Sequence, residues 1–227
     1  MITCFLPCRQ GSERIPRKNI KPFAGLEFGL ISLKLEQLSN VKEINEIVLS
    51  TNDIEILDYV STLSLTKLRV HKRDESLSSS MTSTDTLISH AFDLIPEGDI
   101  LWTHVTSPFI TSNHYSDIID VYKKKIKHGY DSLMTVTLLH SYLWQNSKPI
   151  NYERKIERWP RTQMLEPIHE INSGVFLASN RIYQDFGDRI GSNPYLYVVD
   201  KLVGHDIDWP EDFIIAECIA SKGLVDL

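Results

Sequence analysis

ITCFLPCRQGSERIPRKN, residues 2 to 19, joins an apolar run to a loop dense in positive charge. ITCFLPC has the length and the β-branched and aromatic content of a buried strand. From Arg9 through Lys21 five basic residues stand against one acid, Glu13, a local charge of +4 in a chain whose formal total is −6. The remainder is therefore close to −10. A reversal of sign confined to one loop points to a receptor for an anion.

Outward from that stretch, apolar runs of four to eight residues alternate with segments of helical spacing, the pattern of strands covered by helices in an α/β domain. Strands are expected at 2–8, 44–51, 68–72, 99–109, 131–139, 171–179 and 195–200. Helices are expected at about 27–38, 53–63, 86–95, 113–127 and 181–186, and another from Pro210 to the stop at Gly223. The hydroxyl-rich segment 74–85 lacks apolar periodicity and reads as a loop. Residues 140–170 mix aromatics, charges and prolines without a period, as an excursion from the main sheet would. There is no internal repeat and no low-complexity linker.

With 227 residues, 42% of them hydrophobic and 24% charged, the chain suits one globular domain over 1–227 carrying an inserted segment. The apolar runs fall short of the roughly 18 residues of a membrane span, and the start has neither a basic n-region nor a small-residue cleavage site. A cytoplasmic protein with no membrane partner is expected. Cys4, Cys8 and Cys218 form no CxxC pair and read as structural thiols. The acidic total disfavours a nucleic-acid surface, which needs distributed Lys and Arg.

A loop after the first strand of an α/β sheet lies at the carboxyl ends of the strands, where ligands bind. It is neither a G-x-G-x-x-G fingerprint nor a P-loop, since the next glycine after Gly11 is Gly25. Gly11 and Ser12 can present backbone N–H groups between fixed cations, a chemistry suited to a triphosphate. Near the other end, GHDIDWPEDF puts Asp206 and Asp208 two apart on an expected strand end, facing one side. Paired carboxylates repel unless a cation sits between them, and hard oxygen ligands suit Mg2+. The two features together favour a metal-nucleotide site. A ligand-free basic loop and a solvated D-x-D are the plainer readings of each alone.

PCRQGSERIPRKN resembles the amino-terminal signature of the acylneuraminate (CMP-sialic acid, nonulosonic acid) cytidylyltransferases, P-A-R-G-G-S-K-x-I-P-x-K-N. The likeness continues through KPFAG, LSTND, THVTSP, RTQMLEPIHEINSGVF and IDWPEDF, spanning nearly the whole chain. It implies a Rossmann-like nucleotidyltransferase fold, a mixed and mostly parallel sheet with helices on both faces, and transfer of CMP from CTP to a sialic-acid-like 2-keto sugar acid. It also implies a homodimer in which residues 140–170 form a protruding arm that reaches the partner's site.

By the same matching, Arg9, Gly11, Ser12, Lys18 and Asn19 would hold the triphosphate and cytidine, with Ser83 and Thr84 at the base. Asp206 and Asp208 would bind magnesium. His104, Gln163, Asn172 and Arg161 would meet the sugar, Arg161 and Lys148 at its carboxylate. Arg9, Lys18 and Asp208 would be catalytic. The anomeric hydroxyl would attack the α-phosphorus in line, with one of the carboxylates, or a water on the metal, taking the proton.

Departures from the family pattern cluster on the acceptor side. His104 replaces a glutamine, Ile110 an arginine, and N-G-A becomes Asn172-Ser173-Gly174; in the loop, Gln10 and Glu13 replace a glycine and a lysine. His104 also fits a structural role, bonded to a neighbouring backbone group. A cytidylyltransferase for an eight-carbon or otherwise modified sugar acid, a non-catalytic nucleotide binder and a nucleic-acid binder are the alternatives.

Overall fold

The computed structural model describes residues 1–79 and 81–227. β1 (Ile2–Cys8) is buried along nearly its whole length, as a strand flanked on both sides and covered on both faces must be. It is followed by α1 (Gly29–Ser39), β2 (Glu46–Thr51), α2 (Ile54–Ser61), β3 (Leu68–Lys72), α3 (Thr84–Leu94), β4 (Asp99–Thr103) and α4 (Ser112–Ile126). Then come β5 (Ser132–Leu139), a hairpin of β6 (Trp144–Gln145) and β7 (Lys148–Pro149), β8 (Ile168–Ser179), α5 (Asn180–Phe186), β9 (Pro194–Val198) and α6 (Pro210–Ser221).

The main sheet has seven strands in the order β3-β2-β1-β4-β8-β5-β9. β8 runs antiparallel to both its neighbours, while the other pairings are parallel. Alternation along β1 divides the core. Cys4, Leu6 and Cys8 pack with Leu30 and Leu35 of α1, Ile118 of α4 and Phe213 of α6. Phe5 points the other way, to Ile88 of α3, Tyr183 of α5 and Trp102. Its ring meets Trp102 edge-on at 4.8 Å, and each such buried side chain contributes roughly 1.5–3 kcal/mol over exposure. Burial holds the Cys4 and Cys8 thiols protonated, Cys8 with a pKa pushed up to about 12, in keeping with structural roles.

The mixed, mostly parallel sheet with helices on both faces matches expectation, but three boundaries do not. β4 ends at Thr103 rather than near Pro108, because residues 104–110 turn away and are tied to α1. The Lys34 ammonium, fully buried, donates to Ser107 O at 2.8 Å, Ile110 O at 3.2 Å and Tyr115 OH at 3.0 Å. β8 starts at Ile168, so the end of the excursion already belongs to the sheet. Asp206 and Asp208 sit in an irregular segment before α6, not on a strand. Among the described residues, no helix is long and apolar enough to cross a membrane.

Candidate functional site

β1 lies between β2 and β4, so the chain leaves it in one direction and returns on the other side. In such sheets this switch point opens a crevice at the carboxyl ends of the strands. The basic loop closes one wall of it. Gly11 takes φ +78°, a left-handed turn that a β-carbon would strain, and Arg9 Nη1 donates to Gly11 O at 2.9 Å. The amide of Gln10 donates to Asn52 Oδ1 at 2.8 Å, and Asn19 Nδ2 to Arg9 O at 3.1 Å. Arg17 turns aside to pair with Glu55 of α2.

The opposite wall comes from residues 204–209. The α6 start places Asp208: Asp212 Oδ2 accepts from Asp208 N at 3.0 Å and Trp209 N at 2.7 Å, with Pro210 as first helical residue. The Ile207 amide donates to Thr106 O at 2.9 Å, joining this wall to the turn after β4. The two ends of the chain then meet. Lys18 Nζ donates to Ile207 O at 2.7 Å and lies 3.6 Å from Asp208, while Arg14 Nη2 is 3.3 Å from the same carboxylate. Arg14 also stacks over Trp209, 4.6 Å from the ring centroid.

Between the walls lies a cavity of about 480 Å³, bordered by Arg9, Ser12, Lys18, His104, Ser173 and the two aspartates among others. Its electrostatics are opposed across a short gap. Asp206 is raised to a pKa of about 6, chiefly by burial and further by Asp208, against the lowering influence of Thr106 and Lys18. Its Oδ1 is buried without a hydrogen-bond partner. Burial also lowers the pKa of Lys18, with Asp208 and Asp206 pulling the other way. A shallower depression of about 300 Å³ continues from Arg9, Gln10 and Gly11 to Asn52, Glu75 and Ser78.

Of the residues singled out from sequence, Arg9, Gly11, Ser12, Lys18, Asn19, His104, Asp206 and Asp208 border these two hollows. Ser83 and Thr84 do not. Ser83 caps α3, its Oγ accepting from Thr86 N at 3.1 Å, and the depression is bordered instead by Glu75 and Ser78, earlier in the same loop. Arg161, Gln163 and Lys148 lie exposed on the excursion, and none borders the cavity of this chain. Asn172 points inward. Its Oδ1 accepts from Thr135 Oγ1 at 2.7 Å and Gly174 N at 3.1 Å, so it braces the backbone rather than facing the cavity.

The residue that turns to the cavity is Ser173. The β5–β8 register shifts between Met134 and Val136, and Ser173 takes φ +57° opposite that irregularity. A bulge re-aims the side chain beside it, which is why the neighbour of the expected asparagine occupies the site. Arg14 and Thr106 were also not singled out. Arg14 was visible only as one charge among several, and Thr106 acts on Asp206 through its side chain and on Ile207 through its carbonyl, contacts that no motif announces. His104 accepts the Trp102 indole N–H on Nε2 at 2.9 Å, and its pKa falls to about 3 through burial and the charges of Arg189, Lys18 and Lys34.

A basic loop and a carboxylate pair thus face each other across one cavity at the switch point of a mostly parallel sheet. Residues 3–173 match the family described as cytidylyltransferase, and the chain belongs to that family. It is 26% identical to the pseudaminic acid cytidylyltransferase of Campylobacter jejuni over 225 residues, 95% of this chain and 94% of that one. It is 28% identical to the N-acylneuraminate cytidylyltransferase of Oncorhynchus mykiss over 92% of this chain, spanning 49% of the fish protein. The fold is shared with a CMP:2-keto-3-deoxy-manno-octonic acid synthetase solved with CTP, at TM-score 0.67 and 12% identity over 97% of this chain and 98% of that one. It is also shared with the 4-diphosphocytidyl-2C-methyl-D-erythritol synthase of Anaerococcus prevotii, at TM-score 0.66 and 15% identity over 97% and 96%.

Proposed function

We propose that this chain transfers CMP from CTP to the anomeric hydroxyl of a sialic-acid-like 2-keto sugar acid, giving the CMP-sugar and pyrophosphate. The reading is carried by the meeting of Lys18 with Asp208 at 3.6 Å, which sets a phosphate-binding loop against an acid pair across one cavity. Family membership supports the cytidylyl donor, and the pseudaminate and N-acylneuraminate relatives support the acceptor class.

Asp206 and Asp208 suit a magnesium ion. Among the described residues no cluster of three or more His, Cys, Asp or Glu is arranged to hold a metal, so the chain offers this pair and leaves other coordination positions to phosphate and water, the usual habit of that ion. The buried, unpartnered Oδ1 of Asp206 is the donor most in need of it. Bound there, the ion would neutralise charge building on the α-phosphoryl group. Arg9, Arg14 and Lys18, with the Gly11 and Ser12 amides, hold the β- and γ-phosphates and stabilise the departing pyrophosphate. His104 and Ser173 position the acceptor, and one of the two carboxylates receives the hydroxyl proton.

The exposed Trp144, Ile156, Trp159 and Met164 of the excursion suit contact with a second copy, which would carry Arg161, Gln163 and Lys148 to the sugar of the partner's site. Incubation with CTP, magnesium and a panel of sugar acids, among them N-acylneuraminic, pseudaminic and 2-keto-3-deoxy-manno-octonic acid, tests the proposal. Formation of a CMP-sugar and pyrophosphate in equal amounts from a nine-carbon acid is the expected result. Turnover of the eight-carbon acid alone would replace that acceptor, and CTP hydrolysis without acceptor consumption would overturn the transfer.

A further inference from the structure

Ser173 borders the cavity from a kink in β8, and a left-handed φ of +57° at a residue with a β-carbon persists only where its surroundings over-determine it. Gly174, the next residue, has both backbone polar groups taken by side chains. Its amide donates to Asn172 Oδ1 at 3.1 Å, and its carbonyl accepts from Thr103 Oγ1 at 2.6 Å. Asn172 Oδ1 is held in turn by Thr135 Oγ1 at 2.7 Å. The kink is also closely packed, since a β-carbon on Gly174 would sit 2.9 Å from Thr135 Oγ1 and 3.3 Å from Ile110 Cγ1.

Thr103 ends a chain of hydrogen bonds whose direction is fixed, because a hydroxyl carries one proton. Thr103 donates its own to Gly174 O, so in the 2.7 Å contact with Tyr115 it is the phenol that donates. Tyr115 OH accepts in turn from the Lys34 ammonium at 3.0 Å. Protons therefore point one way, from Lys34 through Tyr115 and Thr103 to the carbonyl beside Ser173. All three side chains are fully buried, where members of such a chain polarise one another and solvent does not replace a lost one. Thr103 is also the last residue of β4, the register partner of Val175 on β8 and the residue before His104. Its hydroxyl thus locks together the two strand ends that bring His104 and Ser173 to the cavity, whereas the basic loop is held separately, by Asn52 and by its own contacts.

We infer that Thr103 is a positioning residue for the acceptor: acting through Gly174, it fixes the spacing of Ser173 and His104 and so sets the affinity for the sugar acid, independently of CTP. The inference rests on the acceptor side proposed above and assigns the buried hydroxyl that keeps it in shape.

The test uses the full-length enzyme with CTP, magnesium and whichever of N-acylneuraminic or pseudaminic acid the wild type turns over. Thr103→Val keeps the branched shape of the side chain and removes the hydroxyl. It should raise the KM for the sugar acid about fivefold or more and leave that for CTP within about twofold, whereas Thr103→Ser, which keeps the hydroxyl, should hold the sugar KM within about twofold of wild type. A double-mutant cycle separates positioning from a general loss of stability. Ser173→Ala should raise the sugar KM on its own and add less than about twofold in the Thr103→Val background, where the serine is already out of place. Should Thr103→Val fail to fold, judged by the CTP-induced rise in Tm, Tyr115→Phe, which takes away the donor to Thr103, is carried through the same cycle. Full multiplication of the two effects, equal rises in KM for both substrates, or an unchanged sugar KM in a folded variant overturns the role of Thr103 and leaves the reaction intact. A wild type that turns over neither acid overturns the acceptor class, and this inference with it.

Discussion

Replacing Lys34 by methionine removes the tie that holds the turn after β4. The ammonium donates to two backbone carbonyls and one phenol, all inside the protein. The losses are unequal. Tyr115 OH keeps Thr103 Oγ1 at 2.7 Å, and Ser107 O keeps a long bond from Ile110 N at 3.4 Å. Ile110 O is the group left most exposed to loss, at about 1–3 kcal/mol for a buried carbonyl without a partner, and weakening at Ser107 O adds about 1 kcal/mol. Removing a desolvated ammonium offsets part of this, so Lys34→Met should destabilise the fold by roughly 2–3 kcal/mol in urea titration at neutral pH. Because residues 104–106 carry His104 and Thr106 to the cavity, KM values should rise in the same variant.

The same lysine predicts a pH signature. Burial lowers its pKa from 10.5 to about 7, so between those values the unfolded chain binds a proton that the folded chain does not. Stability of wild type relative to Lys34→Met should therefore rise with pH across that window, by at most about 1.4 kcal/mol per pH unit, with the penalty fully present below pH 7. Parallel pH profiles, or a destabilisation under about 0.5 kcal/mol, would refute the reasoning.

Arg14→Ala should change stability by less than about 1 kcal/mol, since its pair with Asp208 is half exposed at 44% and 52%, yet raise the KM for CTP severalfold in steady-state kinetics. Gly204→Ala should cost roughly 1–3 kcal/mol in denaturant melts, because a β-carbon there would sit 2.5 Å from Thr137 Cγ2 and 2.7 Å from Asn172 Nδ2. Asn52→Ala removes the acceptor that holds the Gln10 amide at 2.8 Å and should weaken CTP binding several-fold by calorimetry, with little change in the far-ultraviolet spectrum.

Period and composition disclosed most strands and helices of this fold because β1, β2 and β4 are short apolar runs and α2, α3 and α4 keep an apolar side. They did not disclose that β8 opposes its neighbours, since strand direction is set by how the 140–170 excursion returns, not by residue type. The apolar run to residue 109 suggested a longer β4, but the turn held by Lys34 ends it at Thr103, and a lone lysine among the leucines of α1 looks like a surface residue until its acceptors are in place. The basic loop and the acid pair were legible as local charge. Their meeting was legible from complementary charge and from a family likeness, while the contacts between residues 18 and 208 that make it needed the fold. Ser173 was legible only as a departure from the family pattern, because the bulge that re-aims it is not written in residue type.

The measurement that bears most directly on the union of the two chain ends is calorimetric titration of CTP into wild type and into Asp206→Asn/Asp208→Asn, each with and without magnesium. The account predicts that magnesium tightens CTP binding to wild type at least tenfold and does nothing for the double variant, whose metal-free affinity is retained through Arg9, Arg14 and Lys18. An equal magnesium effect in both proteins would contradict it.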